Sequence, residues 1–207
     1  MAIGHSQGGH AALFTATLAT DYAPDLRYLG AVAPAPASDI AEQYVEGVGP
    51  GTPDDVPAGG VAYFGYVLRG LKEARPAFDL AGYHTRSGAA FIEQAERLCL
   101  RELVDHVAEK GVTIGDSLRE PMSEGTLPVV APQVIDVPLE GYQRPVFLAH
   151  GNTDVDLPLA LSEALVRELE AAGVQGLTFR VYDRSDRRTV LAASLADTAL
   201  YVEALFR

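Results

Sequence analysis

Apolar positions along the chain follow two rhythms. Short, nearly unbroken apolar runs occupy residues 26–33, 145–150 and 177–182; the first is closed by Pro34 and Pro36, the second by Gly151-Asn152. Runs of this length between turn residues predict strands buried on both faces, as in a parallel sheet. Ala2-Ile3, ahead of Gly4, reads as the end of one more such strand. Elsewhere apolar residues recur at helical spacing. Residues 7–19 are small and apolar behind Gly8-Gly9, and residues 159–172 place Leu161, Leu165, Val166 and Leu169 on one face before Gly173. Glycine at that point is a C-terminal helix stop, and residues 189–206 predict a last helix. The order strand, helix, strand, long middle, strand, helix, strand, helix predicts an α/β fold with a parallel sheet.

Residues 38–141 break the alternation. Glycine and proline crowd positions 47–60, helical stretches are predicted at 61–71, 89–110 and 114–118, and residues 129–137 return to β-prone sequence with three prolines nearby. The pattern predicts a core made of residues 1–37 and 142–207, interrupted by a mostly helical insertion at 38–141. No internal repeat or low-complexity tract appears.

Composition narrows the class. With 207 residues and 48% hydrophobic content, the chain can bury a proper core. The net charge of −12 argues against nucleic acid as a partner, because phosphate neutralisation needs clustered lysine and arginine. Cys99 is the one cysteine, so no internal disulfide or thiolate metal cluster can form. Its helical neighbours at 95–100 predict a buried, inert thiol. No run approaches the roughly 20 apolar residues of an integral membrane span. The first residues already belong to a folded motif, so no secretory signal is read here and the chain as given is expected in the cytoplasm.

That motif is Gly4-His5-Ser6-Gln7-Gly8, the G-x-S-x-G pattern of a serine nucleophile on a strand-to-helix turn. Glycines at 4 and 8 are expected to permit the sharp turn and the close approach of strand and helix. Ser6 is the expected nucleophile, and the Gln7 amide, first in the helix, would face a developing oxyanion. His5 and His10 flank the elbow; the residue before such a serine faces away from substrate, which predicts core or supporting roles. Downstream, Asp154 and Asp156 follow a strand's C-terminal end, where open α/β sheets gather ligands. Either would serve as an acid or merely as a helix cap.

Taken together, residues 4–12, residues 30–36 (Gly-Ala-Val-Ala-Pro-Ala-Pro) and His150-Gly151-Asn152-Thr153-Asp154 resemble the C-terminal two-thirds of an α/β-hydrolase. The closest resemblance is to the secretory triacylglycerol lipase family of actinobacteria and fungi, and it covers nearly the whole chain. It implies strands five to eight of the eight-stranded fold, with residues 38–141 as the cap. The chain is then N-terminally truncated, lacking the first four strands and the loop that supplies a second oxyanion donor. Full-length relatives would be secreted. The cap would line an acyl pocket with Tyr63, Phe64, Tyr66, Val67, Phe78, Tyr83 and Phe91. No metal or organic cofactor is implied.

The triad order on this fold is serine, acid, histidine, and the family turn selects Asp154 over Asp156 as the acid. The third position departs from the family. Where an aspartate-histidine pair is expected, the chain reads Asp186-Arg187, and no histidine lies beyond His150. Arg187 occupies the expected histidine position, and arginine stays protonated at any useful pH. His84 and His106, in the predicted cap, are the remaining histidines with a claim to the base role. Two readings follow: a serine lipase or esterase acting on small-molecule esters with impaired turnover, or a non-catalytic remnant that binds a hydrophobic acyl ligand. An exposed first strand predicts a homo-oligomer.

Overall fold

The computed structural model describes residues 1–207. In chain order the elements begin with β1 (Ala2–Ile3), α1 (Gln7–Tyr22) and β2 (Ala31–Pro34). A helical series follows: α2 (Ile40–Val45), α3 (Ala58–Ala74), a 3-10 turn (Leu80–Gly82), α4 (Arg86–Arg97), α5 (Leu100–Lys110), α6 (Ile114–Ser117), α7 (Leu127–Val130) and α8 (Pro132–Ile135). The chain closes with β3 (Val146–Gly151), α9 (Leu159–Ala171), β4 (Leu177–Tyr182), α10 (Val190–Ala193) and α11 (Leu195–Phe206). Two compact units result, residues 1–39 with 137–207 and residues 40–136.

The first unit holds a four-stranded, all-parallel sheet in the order β1-β2-β3-β4. All six residues of β3 and all four of β2 are buried, the signature of central strands covered on both faces. Side chains alternate between two cores, as the two-residue period of a strand requires. Ala31, Ala33, Val146 and Leu148 pack with Leu13 of α1 and Leu165 and Leu169 of α9. Val32, Phe147 and Ala149 point the other way, to Val190 of α10 and Tyr201 and Val202 of α11.

Strand β2 starts later than the apolar run suggested. The Tyr28 amide turns back on the Leu26 carbonyl, and Leu26 is exposed. The ladder begins where Ala31 N–H meets the Pro145 carbonyl; Pro145 itself has no N–H to carry the pairing further. The expected last helix is two, parted at Ser194.

The helical unit has its own core, centred on the fully buried Phe64, Leu68, Leu71, Leu103 and Leu127. Phe64 and Phe91, read from sequence as acyl-pocket residues, are part of that core. In the β-prone stretch 129–137, residues 129–130 and 132–135 are helical instead, and no strand forms. Pro128 and Pro132 sit in the first turns of α7 and α8, where a missing N–H costs nothing. The predicted helix 89–110 breaks at Leu98-Cys99, both extended, and Glu102 accepts from the Cys99 amide to start α5. Cys99 is therefore exposed at a helix start rather than buried within a helix. An open concavity of about 560 Å³ on this unit is lined by Phe78, Asp79, Tyr83, Glu120, Glu124 and Thr126, among others.

Candidate active site

The elbow is an extension of the sheet that turns abruptly into a helix. Gly4 N–H donates to the Val32 carbonyl and Ser6 N–H to the Pro34 carbonyl, so the β1–β2 pairing runs up to Ser6. There the backbone reverses: Ser6 has φ 59° and ψ −119°, a conformation that costs a non-glycine residue about 1–3 kcal/mol. Helix α1 starts at the next residue. Gln7 is thus the first helical residue, and the first N–H groups of a helix have no partner within it.

The glycines divide the labour unevenly. A Cβ at Gly4 would strike the Gly8 carbonyl, and one at Gly9 would crowd the Gly4 carbonyl and Pro36. At Gly8 a Cβ would meet open space. Close approach at this elbow is a requirement on positions 4 and 9; position 8 contributes its carbonyl.

Asp154 lies in the turn after β3. Its Oδ1 accepts from the amides of Asp156 and Leu157 at 3.0 and 2.9 Å, which orients the carboxylate and leaves Oδ2 facing inward. Oδ2 is 3.4 Å from His150 Nε2 and 3.7 Å from Arg187 Nη1. The Asp154 side chain is fully buried, whereas Asp156 is exposed. His150, 0% exposed, fixes its ring between Ser162 Oγ at 2.7 Å and the Leu157 carbonyl at 3.0 Å. A carbonyl only accepts, so Nε2 carries the proton and Nδ1 accepts from the serine hydroxyl. Burial, the leading cause, lowers the His150 pKa and outweighs the pull of the Leu157 carbonyl and Asp154.

Arg187 sits on the loop between β4 and α10, and that loop is stapled to the β3 turn. Asn152 donates through Nδ2 to Asp183 Oδ1 and accepts from the Arg184 amide; Thr153 N–H donates to the Ser185 carbonyl. Asp186 accepts from the Thr189 amide and hydroxyl and from the Arg188 amide, which holds its carboxyl below the usual range. This frame aims the Arg187 guanidinium inward. Nη2 donates to Ser6 Oγ at 2.5 Å, and Nη1 stands 3.7 Å from Asp154 Oδ2 with neither atom taking a hydrogen bond. Ser6, Arg187 and Asp154, drawn from three separate parts of the sequence, are together in one place. His84 and His106 both belong to the helical unit.

Two contacts here leave no trace in the sequence. His5 Nε2 meets the Arg187 carbonyl at 2.6 Å, across 182 positions in sequence, and Ser162 backs His150 from α9. No local spacing encodes either.

Residues 1–202 match the family model described as secretory lipase. The chain belongs to the secretory lipase family. No curated protein sequence matches it. Among solved structures, this secretory-lipase chain is similar to Candida antarctica lipase A in its closed state, with TM-score 0.74 and 20% identity over 99% of the chain. It is also similar to the rice cell wall degrading esterase LipA from Xanthomonas oryzae, with TM-score 0.66 and 13% identity over 95% of the chain. Both likenesses establish the α/β-hydrolase fold. The chain spans 48% and 54% of those two proteins, about half of each. No helix is long and apolar enough to cross a membrane.

Proposed function

We propose that the site is that of a carboxylic-ester hydrolase of lipase or esterase type, held at low turnover by its own Arg187. Ser6 Oγ is the nucleophile: it bonds to the ester carbonyl carbon, the carbonyl electrons move to oxygen, and the Gln7 amide stabilises that oxyanion. Collapse expels the alcohol, and water hydrolyses the acyl-serine to acid and free Ser6. Asp154 is the acid of the triad, and residues 40–136 are the cap. The step that suffers is removal of the Ser6 proton, since a guanidinium accepts none and water must take it instead. Family membership and the hydrolase fold support this reading, and the Arg187 bridge between Ser6 and Asp154 carries it.

The test is turnover of a short-chain chromogenic ester. Slow hydrolysis that disappears in Ser6→Ala supports the enzyme. The bridge also favours a second reading, a remnant that holds an acyl ligand without turning it over; tight fatty-acid binding with no hydrolysis above the Ser6→Ala background supports that one. We further infer self-association through the open edge of β1, where Ile3 is 59% exposed.

A further inference from the structure

We propose that His5 is a positioning residue for whatever side chain stands at 187, acting through the Arg187 backbone. This rests on the reading of position 187 as the base position. The Nε2–H of His5 donates to the Arg187 carbonyl at 2.6 Å. The peptide plane that carries the side chain aimed at Ser6 is thereby tied to the residue immediately before Ser6. The elbow is a firm anchor: β1 pairing ends at the Ser6 amide, and α1 begins one residue later.

The rest of the loop is fastened to other elements. Asp183, Arg184 and Ser185 are bonded to the β3 turn through Asn152 and Thr153, and Asp186 binds the start of α10. Between these two attachments the Arg187 carbonyl is the point at which the nucleophile's own strand takes hold of the loop. Rotation of that peptide would swing the side chain at 187 away from Ser6 Oγ; Asp186 Oδ1 opposes it through the Arg188 N–H of the same peptide at 2.9 Å, and His5 opposes it at the carbonyl end from the nucleophile's side. Misplacement of a catalytic group by about 1 Å can cost on the order of a hundredfold in rate. His5 thus matches the orientation of position 187 to that of Ser6, and it does so without touching substrate.

The experiment compares His5→Leu and His5→Gln, read in two ways. The first is kinetic, in the Arg187→His protein, where position 187 has a base to misplace. His5→Leu should lower kcat by about tenfold or more with KM within about twofold, the pattern of lost orientation rather than lost binding. His5→Gln keeps an N–H donor and should return kcat to within about threefold of the parent. The second readout needs no catalysis: amide hydrogen exchange over residues 185–189 in the protein with Arg187 in place. His5→Leu should speed exchange there severalfold, and His5→Gln should leave it near the parent rate. Equal exchange in all three proteins overturns the proposal, as does a kcat loss that His5→Gln shares in full. If exchange responds as expected while Arg187→His shows no turnover, the positioning contact stands and the proposed hydrolase function fails.

Discussion

Arg187 and Ser6 share a hydrogen bond, with the guanidinium Nη2 donating to the serine Oγ at 2.5 Å. The hydroxyl oxygen that should attack an ester is engaged as an acceptor, and its own proton has no imidazole to go to. A fluorophosphonate probe should therefore label Ser6 slowly, and the rate should show no inflection between pH 6 and 8. A sigmoidal rise with a midpoint near about 6.5 would reveal a histidine base and transfer the role to His84 or His106.

The glycines of the elbow predict opposite outcomes for one kind of change. Gly4→Ala forces a methyl group into the Gly8 carbonyl and should lower stability by about 1–3 kcal/mol, the range for overpacking. Gly8→Ala adds a methyl group in open space near the start of α1 and should raise stability by up to about 0.5–1 kcal/mol through the unfolded state. Urea midpoints of the two variants against the parent check the pair, and equal shifts would contradict the geometry.

His150 gives the chain a pH dependence of known sign. Burial keeps its imidazole neutral in the folded state, while the unfolded chain takes up a proton below about pH 6.5. The unfolded state then binds more protons, so this contribution is complete above about pH 6.5 and declines as pH falls below it. His150→Asn should be less stable throughout yet show a flatter thermal midpoint between about pH 5 and 6.5. Calorimetric scans across that window measure both features, and an unchanged slope would contradict the assignment.

Much of this architecture is legible in the sequence because it is local. Residues 146–149 are apolar without interruption between Pro145 and His150, and so short a run closed by Gly151-Asn152 points to a strand buried on both faces. The elbow is equally local: residues 3–8 encode the strand end, the serine at the turn and the helix start. Stretch 129–137 misleads because β-branched residues suggest a strand, whereas Pro128 and Pro132 in first-turn positions and packing against the helical core make helices of it. Cys99 misleads in the opposite way, since a two-residue break between good helix formers leaves little trace. The reach of His5 to Arg187 and the backing of His150 by Ser162 lie beyond any sequence pattern. They come from the stacking of strands in space, which sets unrelated positions side by side.

The open edge of β1 predicts association. Ile3 on that strand and Leu18 and Tyr22 on α1 are 59%, 58% and 90% exposed. Unpaired edges and exposed apolar groups favour pairing with a second copy. Light scattering at micromolar concentration should give at least a dimer, and Ile3→Lys should shift it toward monomer; a strict monomer in the parent contradicts the expectation.

The central claim is that Arg187 stands where the general base belongs, and Arg187→His tests it most directly. Completing a triad with Ser6 and Asp154 should raise ester hydrolysis by at least about a hundredfold, the scale of one general base. The gain should bring a pH dependence with an apparent pKa near neutrality, and it should vanish when Ser6→Ala or Asp154→Asn is added. Hydrolysis and Ser6 labelling that both stay at the parent's level in Arg187→His would contradict the account.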